Sequence, residues 1–453
     1  IFSQAASWNK LLWDGYSKET PTSDKATLSV IGIDKNGGET VLMQNIPVAQ
    51  KEVDISSINA NTYPGLKIAI NTEDPEDRTP YQLKYWRLYA TPVAEGAVAP
   101  NLYFSAKDTL EAGEPLQLGL AFKNISTSHF DSIAVKLTVR DQNNIERVIP
   151  VPKVRPLVAG DTLQVNIPID TRSFVGNNLV FLELNPEGND HQPEQYQFNN
   201  FINHSFFVRS DTINPYLDVT FDGIHILNRD IVSSKPDILM KLTDDAKYLL
   251  LDNPELIKVQ LKFPNGLLRD YQFDNDTLIF TPPSPNDAKN MAIINFKPHL
   301  LEDGEYELIV SAKDQSGNYA GVLNYRVAFQ VINKPMISNL LNYPNPFTTS
   351  TAFVFTLTGS EVPQNIRIQI LTITGKIVRE ITKEELGPLR IGRNITEFKW
   401  DGTDQYGQKL ANGVYLYRVL TNHHGKSLDK YKANGDNTDK YFNKGYGKMV
   451  LIR

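Results

Sequence analysis

Short runs of alternating apolar and polar residues, broken by Gly, Asn, Asp and Pro, recur along the whole chain. Residues 26–33 set the pattern, and a period of two belongs to a strand whose two faces meet different surroundings. The turn Asp34-Lys35-Asn36-Gly37-Gly38 follows and predicts a hairpin. Similar runs predict strands at 66–70 and 83–89, then at 116–122, 133–139, 163–169 and 178–184, with another ending near Val208. Further strands are predicted at 214–223, 257–261, 306–312 and 324–331, then at 353–357, 366–373, 413–419 and 448–453. No stretch sustains a 3.6-residue period, and only 244–254 has room for a helical turn or two.

At 453 residues the chain exceeds one ordinary core. Proline pairs and turn clusters divide it into 1–99, a jelly-roll-like β-sandwich, 100–210 and 211–333, two Ig-like sandwiches, and 334–453, a last sandwich. The predicted fold is therefore all-β, as tandem β-sandwich domains. Glu95-Gly96-Ala97-Val98-Ala99-Pro100 reads as a linker, 185–194 as a long exposed turn, and 422–445 as a mobile or lid-like insertion.

Composition narrows the chemistry. A net charge of -6 lacks the basic footprint of a nucleic-acid binder, and no apolar run is long enough for a transmembrane helix. With Cys 0, disulfides, thiolate metal sites and a cysteine nucleophile are excluded from this stretch. The sequence opens at Ile1 without Met or signal peptide, which reads as part of something longer. His129, His191, His204, His225, His299, His423 and His424 show no HExxH spacing, and no GxSxG elbow is present. A triad assembled from distant residues stays open, while His423-His424 beside Gly425 reads as a turn tip.

Glu73, Asp74, Glu76 and Asp77 crowd one loop and offer hard oxygen ligands of the kind Ca²⁺ takes, or else form a solvated acidic turn. Asp401 with Asp404 and Asp436 with Asp439 are shorter versions, for which turn capping is the stronger reading. No other cofactor is implied. Trp8, Trp13 and Trp86 lie on or beside predicted strands, either as core or as a platform for a glycan.

The most specific pattern is C-terminal. It comprises Tyr343-Pro344-Asn345-Pro346-Phe347, a hairpin bend at Gly375-Lys376, the turn Trp400-Asp401-Gly402-Thr403-Asp404, Asn412-Gly413-Val414-Tyr415, and a last basic-ended strand to Arg453. In this order the series resembles the FlgD-like immunoglobulin fold and, closely, the C-terminal sorting domains of proteins exported by the bacterial type IX secretion system. The 422–445 excursion departs from that pattern and leaves open a cleaved signal or a permanent docking module. Residues 100–210, with Gly113-Glu114-Pro115 and the Asn199-Asn200 ending, resemble a CARDB-type adhesion module. Residues 1–99 are similar to the sandwich that follows the peptidase domain in gingipain-family surface proteins.

The whole order resembles the C-terminal, non-catalytic region of PorU-type sortases. That resemblance implies a scaffold at the bacterial cell surface, associated with the outer membrane, whose parent's catalytic Cys and His lie upstream. It implies as partners type IX secretion or attachment components and outer-membrane β-barrel proteins. No catalytic residue is expected in this stretch, and the alternative is a carbohydrate-binding adhesin.

Overall fold

The computed structural model describes residues 2–274, 276–432, 442 and 444–453, and it is all-β. The chain forms two compact units, Ile1–Ser210 and Asp211–Arg453. Each holds two hydrophobic cores, and each core is closed by two sheets.

The first core lies between a four-stranded sheet, ordered Phe2–Ser3, Gly65–Glu73, Lys25–Ile33 and Glu39–Pro47, and a three-stranded one, ordered Glu52–Asp54, Ala5–Tyr16 and Gln82–Pro92. Period two explains the packing: in Lys25–Ile33 it is Ala26, Leu28, Val30 and Gly32 that are buried. Each fully buried Leu, Val or Phe contributes about 1.5–3 kcal/mol. The second core packs a sheet ordered Thr109–Leu110, Phe201–Val208, Gly176–Leu184, Val135–Arg140 and Glu146–Ile149 against Thr162–Ile169, Leu116–Asn124 and Gly96–Val98.

Two expectations change here. Residues 95–100 are no linker: Gly96–Val98 pairs with Phe122, Lys123 and Asn124, and Ala94 already belongs to the second core. Gly96 makes this possible, because a Cβ there would sit 2.1 Å from the Phe122 ring. Nor is 185–194 exposed throughout, since Asn185 and Glu194 at its ends are buried. Glu194 accepts from the Gly96 N–H at 2.9 Å and from the side-chain amides of Asn185 and Asn200. In return, Glu95 accepts from the N–H groups of Gln195 and Tyr196 and from the Asn199 amide. These two buried carboxylates lock the entering strand to the loop.

In the second unit, Tyr216–Phe221, Ile238–Asp244, Asn290–Phe296 and Leu278–Thr281 face a five-stranded sheet centred on Gly304–Ala312. The helical turn allowed at 244–254 appears later, as a single 3-10 turn at Pro254–Leu256, because Asp244 still belongs to its strand. The last core is closed by a sheet containing Leu341–Tyr343 and Ala352–Leu357, and by another ordered Ile377–Ile381, Asn365–Thr372, Gly413–Asn422 and Gly447–Leu451. Part of the 422–445 excursion, with Asp436 and Asp439, lies outside the described residues. Its described beginning contributes Asp429–Lys430, paired in parallel with Met336–Ile337.

Candidate docking site around the terminal strand

Gly447–Leu451 lies at the edge of its sheet, where unpaired backbone groups would invite another strand. The segment 343–347 covers that edge. Pro344 and Pro346 have no N–H to donate, so the chain here cannot run a regular ladder. Asn345 supplies the missing groups from its side chain. Its Oδ1 accepts from the Val450 N–H and its Nδ2 donates to the Lys448 carbonyl, both at 3.0 Å. Phe347 continues the cover, donating to the Val450 carbonyl at 3.0 Å and accepting from the Ile452 N–H at 2.9 Å.

Asn412 treats Arg453 in the same way, accepting from its N–H at 2.9 Å and donating to its backbone oxygen at 3.2 Å. The Arg453 guanidinium donates in turn to the carbonyls of Asp401 and Leu410. Beneath this bracket, Trp400 sits between Phe347 and Tyr415, with ring centroids 5.5 Å apart in both pairs. The Trp400 indole N–H is satisfied by the Thr403 carbonyl, and the Tyr415 hydroxyl by that of Ala411. Asp401 and Asp404 cap their own turns, accepting from Thr403 and from Tyr406 and Gln408. Gly402 has φ +78, and a Cβ on it would press to 2.8 Å from Leu451.

The motif residues therefore divide by role. Phe347, Trp400, Gly402 and Tyr415 are buried, Asp404 is half-buried, and Tyr343, Pro344, Asn345, Pro346, Asp401, Asn412 and Gly413 are exposed. Tyr343, 75% accessible, is the largest exposed side chain among them.

The acidic loop of the first sandwich does not gather its four carboxylates at one point. The group whose ligand atoms lie within 4.8 Å is Glu19, Asp74 and Asp77, without Glu73 or Glu76. Asp74 already accepts four hydrogen bonds. Its Oδ1 accepts from the Ser23 hydroxyl and the Glu76 and Asp77 N–H groups, and its Oδ2 from the Thr79 N–H. The Ser23 hydroxyl and these N–H groups hold the Asp74 carboxyl down to about 2. This is a turn-capping aspartate.

Trp8 and Trp13 are core residues. They are 2% and 0% accessible, and their indole N–H groups donate to the Tyr63 and Gln50 carbonyls. Neither face is open to a sugar. Trp86 is half-buried against the same core. His129 and His191 border a cleft of about 600 Å³ in the first unit, together with Asn61, Pro64 and Asp131. His129 accepts from the Ala159 N–H, while His191 meets the Asn185 carbonyl and the Gln197 amide. Among the described residues no histidine bonds a serine hydroxyl. His423-His424 does form a turn tip, closed between His423 and Lys426.

Sequence reasoning missed one cluster. Asp211, Asp244 and Asp314 bring ligand oxygens within 4.8 Å of one another. Burial, then the charges of Asp211 and Asp314, push the Asp244 carboxyl up to about 6. No local spacing signals this, because the three residues come from three separate segments and Asp314 heads what reads as an ordinary turn.

No protein-family model matches the chain, and no curated protein matches it. Solved structures resemble it at low identity. The crystal structure of dimeric latent PorU from Porphyromonas gingivalis is 17% identical, over 81% of this chain and 35% of that one, with a TM-score of 0.21. This chain thus spans about a third of the length of that PorU chain. The FN1–FN3 domains of chicken CNTN1 are 10% identical, over 77% of this chain and 98% of that one, with a TM-score of 0.23. The BSP domain of a biofilm associated protein is 8% identical over 95% and 98%, with a TM-score of 0.20. Likeness at this level says nothing of activity or partner.

Proposed function

We propose that this chain is a non-catalytic scaffold of four sandwich modules, divided just before Ala94 and near residues 210 and 333, whose last module docks at the bacterial cell surface. Its partners in this reading are components of the type IX secretion or attachment machinery and an outer-membrane β-barrel. The observation that carries the proposal is that Asn345, Phe347, Trp400, Gly402, Asn412 and Tyr415 gather around the terminal strand and its end. The buried members of this set pack together beneath the strand, Asn345 seals the strand edge, Asn412 holds the chain at Arg453, and Tyr343 with its neighbouring prolines remains outside. A surface that is stiff, proline-rich and aromatic loses little conformational entropy on binding.

The test is surface display in native cells, read by protease accessibility. Removing residues 447–453 should abolish display. Tyr343→Ala, which alters an exposed side chain, should reduce display at least tenfold while leaving the protein folded. Wild-type display of both variants would sink the proposal.

A further inference from the structure

We propose that the carboxylates of Asp211, Asp244 and Asp314 form a calcium-binding site within the unit Asp211–Arg453.

Two independent observations meet here. The first is geometric: one oxygen from each residue lies within 4.8 Å of the others, the span across an ion with oxygen ligands at about 2.3–2.6 Å. The second is an unmet bonding requirement. Asp244 is only 7% accessible, yet neither carboxylate oxygen has a hydrogen-bond partner of good geometry, and the lowering effect of the adjacent Asp245 N–H is smaller than the raising effects of burial, Asp211 and Asp314. A buried carboxylate with about four acceptor positions and no well-formed hydrogen bond is rare in a folded protein, and the usual compensations are a paired charge or a metal. The charged groups acting on Asp244 are Asp211, Asp314 and Asp245, all of them acidic.

The surroundings hold the other two ligands in place. Asp314 accepts from the Asn318 N–H and side-chain amide, both at 2.8 Å, which fixes its plane and leaves lone pairs free. Asp211 accepts from the Ile213 N–H and the Ser316 hydroxyl, and the Asn318 amide also reaches its carbonyl. Asn290 pins the loop after Asp244 through the Ala246 and Leu249 carbonyls and the Leu251 N–H. All these donors aim at ligand residues or their loop, and none at Asp244 itself.

The donor set selects the metal. Only hard oxygens converge, which excludes zinc and copper as the preferred ion and suits calcium. Asp244 ends a strand of one sheet, Asp314 follows the strand Gly304–Ala312 of the other, and Asp211 begins the unit. A bound cation would tie all three together. The Glu19, Asp74 and Asp77 group has the same number of carboxylates but lacks the second observation, because Asp74 is filled by its own turn.

Calorimetric titration of the whole chain, stripped with a chelator, tests this with calcium chloride alone. One calcium per chain is expected, at the roughly 10⁻⁴–10⁻³ M affinity of extracellular modules, together with a melting transition a few degrees higher in millimolar calcium than in EDTA. Asp244→Asn should abolish both effects. It should also melt no lower than wild type in EDTA, because it removes a like charge, and this separates lost binding from lost folding. Asp74→Asn should keep both effects. Absence of binding heat and of a calcium-dependent shift in the wild type would overturn the site. So would a shift that survives Asp244→Asn or disappears in Asp74→Asn.

Discussion

Glu194 offers a pH dependence whose sign and size follow from its surroundings. Burial pushes its carboxyl up from 4.5 to about 7, against the lowering effect of the Asn185, Gly96 and Asn200 donors and with help from the Glu95 charge. The folded value lies above the unfolded one, so the native state binds the proton more tightly. The stabilisation is therefore complete below about pH 4.5 and is lost as pH rises through about 7. A displacement of that size is worth roughly 3 kcal/mol. The structure also has a place for the proton. The Asn200 side-chain oxygen is buried without a partner, and turning that amide presents it to a protonated Glu194. Glu194→Gln mimics the neutral acid at every pH. Calorimetric scans of the whole chain between pH 5 and 8 should show one wild-type transition falling by about 6–12 °C, and the same transition flat in the variant. At pH 8 the variant should be the more stable protein, and near pH 4.5 the two should match. Parallel wild-type and variant profiles across this window would refute the reasoning.

Two further outcomes concern the strand bracket and the first core. Asn345→Ala should cost about 1–3 kcal/mol through the bonds to Lys448 and Val450, and should accelerate hydrogen exchange at the Val450 amide well beyond that at buried strand amides elsewhere. Trp13→Ala removes a fully buried ring and should cost about 3–5 kcal/mol, read as loss or large lowering of one melting transition. A fully stable Trp13→Ala chain would mean that the indole is not the packing element described.

The strands were legible because nearly all of them have one buried face, and a one-residue slip would expose every apolar side chain. That is why 26–33 and 163–169 could be placed from alternation alone. Glu95 to Pro100 was misread because small residues, Gly and Pro are also what a linker contains. Here the small residue serves a close approach, with Gly96 crossing the Phe122 ring. The polar run 185–194 was misread for a related reason. Composition does not distinguish a solvated turn from one whose Asn and Glu side chains are buried and bonded to each other, and only the partners decide. The C-terminal motif was legible as a set of residues but not as a bracket, because Asn345 and Asn412 act on backbone atoms about a hundred and about forty residues away.

The acidic clusters show where local reading stops. Glu73 to Asp77 attracts attention because its carboxylates are adjacent in sequence, yet adjacency is what lets a backbone turn donate to them. Asp74 gains three N–H donors within five residues of itself. Asp244 lies in a strand, where its backbone is committed to the ladder with Asn290, and the Asp245 N–H is the one neighbouring donor that acts on its carboxylate. A carboxylate carried into the interior by a strand has few local donors for its lone pairs. Its needs must then be met from outside the local chain, by a proton or by a cation. Asp244 is thus the aspartate left with unfilled acceptor positions, and backbone geometry explains both cases.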